Sequence, residues 1–288
     1  MISRAGWAQD DLLGILNQKD TLPRREYTLG TFKSSRLING HSVETRAGHV
    51  LEFVISHRFG RLNSGAYNFF GLDDAVIRLA LEYGVTDRLN VGIGRNSFQK
   101  TYDGFVKYKL LRQSEGPQSV PVSVVLFSSV AYKTEKSADP NENRPMNQRL
   151  FYANQVLIAR KLSQKVSLQL SPVWVHRTYV DGGEKRDVVA LGLGGRYKLT
   201  KRVALNAEYY YRLLADATPG YYNALAVGFD LETGGHVFQL HFTNANGMIE
   251  KAFVAETTGD FTGGDIHFGF NISRSFNLGK KEASPPKW

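Results

Sequence analysis

Through most of this sequence, apolar and polar side chains change places at every residue, and that period of two decides the fold class. In segment 202–213 (RVALNAEYYYRL), Val203, Leu205, Ala207, Tyr209 and Tyr211 fall on one face. Ala204, Asn206, Glu208, Tyr210 and Arg212 fall on the other. Segment 186–199 repeats the pattern, with Val189, Leu191, Leu193 and Tyr197 opposite Ala190, Gly192, Gly194, Arg196 and Lys198. A helix facing a core would space its apolar residues by three and four; strict alternation belongs to a strand whose two faces meet different surroundings. Twelve segments read this way: 49–59, 74–84, 89–97, 102–112, 119–132, 149–161, 164–177, 186–199, 202–213, 221–232, 235–243 and 265–276. Segment 149–161 alternates poorly, and its faces stay unassigned.

The links between these strands sort by length. After even-numbered strands they are short: 85–88, 113–118, Ser163, Lys201 and the neighbourhood of Gly234. After odd-numbered strands they are mostly longer and polar, as in 60–73, 133–148 and 244–264. An even-stranded meander with short turns at one end and long loops at the other is the layout of a transmembrane barrel. A soluble sandwich has no reason to segregate its loops in this way.

The faces agree. One carries apolar residues with aromatics toward the strand ends, as a lipid-facing band requires; the other carries Gly, Ser, Asn and charges, which a packed soluble core rejects. Hydrocarbon leaves no partner for an open sheet edge, so the first and last strands must pair. Helical spans are excluded. The uncharged stretch 116–132 contains Pro117 and Pro121 and falls short of the ~20 apolar residues that a membrane helix needs. The chain has no Cys, which removes disulfide scaffolds, thiolate nucleophiles and Cys-ligated metals. The fold class expected is all-β, a closed antiparallel transmembrane barrel of about 12 strands.

Four segments follow. Residues 1–8 read as a signal-peptide remnant, with Gly6 and Ala8 at the −3 and −1 positions of a cleavage site before Gln9. Residues 9–48 read as an N-terminal segment, in which 10–20 could form a short amphipathic helix and the polar, basic stretch 26–48 suits insertion into a polar lumen, the alternative being a periplasmic extension. Residues 49–276 are the barrel, and 277–288 a basic, Pro-containing periplasmic tail expected to be disordered.

Four strings carry a family likeness: TFKSSRLINGHSVET at 31–45, ISHRFG at 55–60, YGVTDRLNVGIGR at 83–95 and TYDGFVKYKLL at 101–111. In this order they resemble the Bacteroidetes outer-membrane β-barrel family catalogued as domain of unknown function 5777, over roughly residues 27 to 276. The resemblance implies an outer-membrane location and a closed barrel, and implies no reaction. One feature departs from common barrel practice: Phe276 closes the last strand, yet twelve residues follow it.

No site chemistry emerges. Ser56 and His57 are adjacent, so they point to opposite faces and make no nucleophile–base pair; His57 reads as an interfacial aromatic. Gly92-x-Gly94 and Gly192-x-Gly194-Gly195 lie inside strands and open no helix, so they are not phosphate loops; inward glycines mark close approach by a neighbour. His241 and His267 face inward on adjacent strands without the spacing of a metal site. No enzyme activity, cofactor, metal or nucleic-acid partner is expected. The loop 244–264 carries Met248, Ile249, Phe253 and Val254, and is read as a mouth constriction, a cover, a partner site or an ordinary mobile loop.

Charge is the remaining signal. The chain carries a formal +9. The phased inward positions give Arg58, Arg78, Lys107, Lys109, Arg177, Arg196, Lys198 and Arg212 against Glu52, Glu82, Asp103, Glu208 and Asp230. A positive surplus in a low-dielectric interior favours anions. The sequence reading is a channel or binding barrel for small polar or anionic solutes, embedded in outer-membrane lipid. The alternative is a structural barrel with a plugged lumen that engages a periplasmic or surface protein.

Overall fold

The computed structural model describes residues 24–136, 144–180, 184–213, 220–233 and 235–279. The cleavage site, the helix expected at 10–20 and the tail from 280 onward lie outside the described residues. Twelve antiparallel strands close into a barrel: β1 (Val50–Arg61), β2 (Ala75–Gly84), β3 (Leu89–Asn96), β4 (Thr101–Leu111), β5 (Ser123–Lys133), β6 (Leu150–Lys161), β7 (Val166–Arg177), β8 (Asp187–Lys198), β9 (Val203–Arg212), β10 (Ala224–Thr233), β11 (His236–Thr243) and β12 (His267–Asn277). Each strand pairs with its neighbours in the chain. The seam between β12 and β1 closes the ring, with Ile272 opposite Ile55 and Phe276 opposite Leu51. Closure leaves no edge, which is what hydrocarbon demands of a sheet.

Register puts the apolar set outward. Leu79, Leu81, Ile93, Leu193, Phe229 and Phe242 are all exposed on the outer wall. Aromatics gather there as expected: His57 stacks on Phe270 with ring centroids 5.0 Å apart, and Phe59 on Phe268 at 5.8 Å. The inward face is almost wholly buried, charged residues included.

Two connections depart from the length rule. The β3–β4 link is the tight turn 97–100, although it lies at the long-loop end. The β4–β5 link, 112–122, is the longest at the short-turn end. It is extended because it has a task. Ser114–Glu115 pairs with Glu26–Tyr27, and the Gln113 side chain is fixed to the main chain of Lys161 at 2.9 and 2.8 Å. The link therefore holds the N-terminal approach against the barrel rim.

The depth of the apolar band gives a test. Leu193 lies near the middle of β8 on the outer wall, and Leu213 lies just beyond the end of β9. Leu193→Arg is expected to cost about 2–4 kcal/mol in reversible unfolding from lipid, and Leu213→Arg about 0–1 kcal/mol. Equal penalties would contradict this placement of the bilayer.

Candidate functional site: a filled lumen beneath a basic vestibule

The segment before β1 is non-periodic and interrupted by Ser and Gly, so it does not join the barrel sheet. Residues 34–43 instead double back as a hairpin. Leu37 N donates to Gly40 O and Ser42 N to Ser35 O, both at 2.9 Å, with an isolated bridge between Arg36 and His41. Asn39-Gly40 makes the turn. Its partners come from the whole ring. The Glu208 carboxylate on β9 accepts the main-chain N–H of Asn39 at 2.6 Å and of Gly40 at 3.2 Å. Gln169 on β7 donates to His41 O at 2.8 Å and accepts from Val43 N at 3.0 Å. Lys107 on β4 donates to Ser42 O and Glu44 O at 2.9 and 2.7 Å. Gln239 on β11 and Asn271 on β12 donate to Leu37 O and Ile38 O at 2.7 and 3.0 Å. A segment tied to β4, β7, β9, β11 and β12 at once sits inside the barrel.

The hairpin tip fits without slack. A Cβ on Gly40 would lie 1.8 Å from the Tyr210 hydroxyl, and one on Gly194 would lie 2.7 Å from Leu37. Gly92 and Gly94 make room for the Phe105 ring and the Arg78 guanidinium in the same way.

The nine sequence-selected residues fall into distinct settings. Arg58 is fully buried and donates to Asn39 Oδ1 at 2.6 Å. Arg78 is fully buried and paired with Asp103, with Nε 3.0 Å from Oδ1. Lys107 and Glu208 hold the hairpin as described. Arg196 faces Gly30 O and Thr31 O at 3.4 and 3.3 Å, where the chain enters the lumen. Lys109 and Lys198 are half-buried toward the short-turn end. Arg177 and Arg212 stand near the opposite mouth; Arg177 pairs with Glu184 at 2.6 Å, and Arg212 lies over the Tyr221 ring at 5.6 Å. Ser56 and His57 do point to opposite walls: Ser56 is buried inside, and His57 is in the outer aromatic cluster.

The loop 244–266 folds into the opposite end of the lumen. It carries α1 (Glu250–Ala255), whose residues are all buried. Phe253, Val254 and Ala255 pack on Ala153, Val173, Val175, Val188, Ala190 and Tyr210 of β6–β9. Glu250 reaches down to His41 at 3.8 Å, so α1 and the hairpin meet. Neither α1 nor the hairpin was assignable from alternation, because neither alternates. Gln169 and Gln239 were missed because an inward amide looks like an ordinary polar filler until its backbone partner is known.

Above α1 opens a vestibule of about 580 Å³ at the long-loop end. Its described lining includes Arg61, Lys133, Lys136, Arg144, Arg149, Arg177 and Lys251 against Glu135, Glu184 and Glu256. Phe98, Phe151, Tyr179 and Tyr221 supply apolar surface. Each acid holds one base: Lys133–Glu135 at 3.1 Å, Arg177–Glu184 at 2.6 Å and Lys251–Glu256 at 2.8 Å. Partial burial and the nearby Glu184 carboxylate raise the Tyr221 phenol above its ordinary value. At the rim, hydrogen bonds from Asn63 and from Asp260 N–H, with Arg61 alongside, hold the Asp265 carboxyl below its ordinary range. This ties loop 62–74 to loop 244–266.

With the barrel, its filling and its mouth described, comparison with known proteins places the chain. The profile of DUF5777, a membrane-bound beta barrel domain, matches residues 32–276. The chain belongs to this family. The match begins inside the lumen segment, one residue before Lys33, so the domain includes the hairpin. Among solved structures the chain is similar to NanC porin, with 11% identity over 79% of this chain and 100% of that chain at a TM-score of 0.48. It is similar to KdgM porin at 10% identity, over 79% and 99%, with a TM-score of 0.48. It is also similar to the COG4313 outer membrane channel from Pseudomonas putida F1 at 13%, over 81% and 97%, with a TM-score of 0.47. A search of curated proteins gives no match.

The hairpin's fit predicts its own fragility. Gly40→Ala is expected to destabilise the protein by about 1–3 kcal/mol through overpacking against Tyr210. Glu208→Gln is expected to cost about 1–3 kcal/mol, because an amide NH₂ would face the buried Asn39 and Gly40 donors. Urea unfolding in detergent measures both. Wild-type stability in either variant would show that the hairpin is not held at its tip.

Proposed function

We propose that this protein is an outer-membrane barrel that captures small anionic solutes in its vestibule and is closed to flow at rest. The observation that carries the reading is the charge of the vestibule: seven basic against three acidic side chains among its described lining residues. Apolar and low-dielectric walls focus such a field and raise the local anion concentration. The outer-membrane assignment is supported by the even strand number, the antiparallel closure and the family's membrane-bound character. The closed resting state is supported by the burial of hairpin and α1 between the walls.

Binding of 1,3,6-pyrenetrisulfonate to the protein in neutral-lipid vesicles tests the reading. Saturable binding is expected at low salt, weakening as added salt screens the site. The Lys136→Glu/Arg149→Glu double variant is expected to bind about tenfold more weakly, since each reversal acts on a site already rich in positive charge. Equal binding of a trimethylammonium probe would reject an anion site. The filled lumen also favours a second reading, a scaffold that never conducts. In planar bilayers, a variant lacking residues 31–45 should conduct with anion selectivity on the first reading and stay silent on the second.

A further inference from the structure

The lumen filling is two-sided. Along β6–β9 the contact is dry: α1 lays Phe253, Val254 and Ala255 on small apolar side chains, and Phe253 meets the Tyr210 ring edge-on at 4.9 Å. The hairpin packs Phe32, Leu37 and Val43 on Phe105 of β4, Val125 and Phe127 of β5 and Leu157 and Ala159 of β6. Phe105 apart, along β1–β4 the filling meets the wall through charge. From the vestibule downward, Lys133 stands in register with Thr101, Thr101 with Asn96, and Asn96 with Arg78. Below the Arg78–Asp103 pair come Glu82, which faces Arg36 of the hairpin across 4.0 Å, and then Lys107. Glu52 follows, and it pairs with Arg46 at 3.3 Å, where the side chains return to solvent at the short-turn end.

Several polar atoms of this column lack a hydrogen-bond partner, as do atoms of Gln155 on β6 and Asn206 on β9 elsewhere in the interior. Arg36 Nε, Arg78 Nη1, Glu82 Oε1, Asn96 Nδ2, Glu250 Oε1 and Arg46 Nε are buried without a hydrogen-bond partner. Buried groups of this kind are ordinarily satisfied by solvent or a ligand. The apolar wall is held by close packing; on β4, Lys107 grips the hairpin with short hydrogen bonds. On β2 the filling meets the wall through the 4.0 Å Arg36–Glu82 contact, so parting it there loses less than parting it from β6–β8.

We infer that this column is the solute path. A small anion leaves the vestibule at Lys133, passes Arg78, Arg36 and Lys107, and exits beside Arg46, while hairpin and α1 stay seated on the apolar wall. Alternation of Arg and Lys with Asp and Glu along the way gives each basic group a fallback partner, so no site holds an anion too tightly to release it. This path rests on the anion reading proposed above and adds the residues that set its selectivity.

The absence of Cys makes the test direct. Single cysteines are placed on the column wall (Ser56→Cys, Ala80→Cys) and on the apolar wall (Ala153→Cys, Ala190→Cys) of the full-length protein in lipid vesicles. All four wild-type side chains are buried and face inward. The anionic reagent 2-sulfonatoethyl methanethiosulfonate is expected to label the column positions about tenfold faster than the apolar ones, because local opening is confined to the weaker side. Having two positions per wall keeps the comparison if one variant folds poorly. Equal rates on the two walls, or silence at both column positions, would overturn the path. Trisulfonate binding is read on the same vesicles. Fast column labelling without that binding would sink the anion reading and keep the path; binding with a silent column would do the reverse.

Discussion

An irregular stretch of buried backbone can occupy a barrel lumen only if its N–H and C=O groups are answered there, since each unanswered group costs a few kcal/mol. Here the wall answers with long polar side chains spread round the ring. Glu208 takes two N–H groups at the turn, Lys107 takes two carbonyls on the return arm, and Gln169 takes one of each. The inward polarity of the strands is thus a lining for one particular loop as much as a surface for solvent. It explains why Lys107 tolerates complete burial, with its donors spent on hairpin carbonyls, and why Arg58 turns one donor to Asn39 Oδ1 and another to the His57 carbonyl.

The two ends of the chain's interior filling are built on opposite chemistry. α1 is held by small apolar side chains on β6–β9; of its own polar residues, Glu250 faces His41, and Lys251 pairs with Glu256 over the Phe151 ring of β6. The hairpin is held by hydrogen bonds to six strands and by one apolar patch around Phe105 and Phe127. His41 joins them, packed at a tilt between those rings with centroids at 4.6 and 4.4 Å, and facing Glu250. Charge at the mouth and charge at the hairpin are therefore connected through a single short helix.

What could be read in advance was whatever obeys a period. The strands and, wherever faces could be assigned, the outward set follow from alternation, because lipid on one side and polar groups on the other impose it residue by residue; the closing seam follows from hydrocarbon's lack of partners for an edge. Segment 149–161 resisted because its inward positions Phe151, Ala153, Leu157 and Ala159 are apolar where α1 and the hairpin pack, with Gln155 alone polar among them, so the faces look alike. Arg58 and Arg78 could be given a face but not a partner: Asn39 lies in a hairpin with no repeat, and Asp103 two strands away. The vestibule was hidden for the same reason. Lys133 and Arg149 bracket one link, Arg177 ends β7 and Lys251 lies in α1, and only the closed ring brings them together.

The hairpin immediately precedes β1, and β1 is one half of the closing seam. Its partners on β7, β9 and β11 lie far round the ring and are synthesised long after it. The chain enters the lumen at the short-turn end, opposite the mouth that α1 fills. The polar lining that grips the hairpin is drawn from strands at both ends of the sequence, so it is complete only once the ring is closed at β12 and β1.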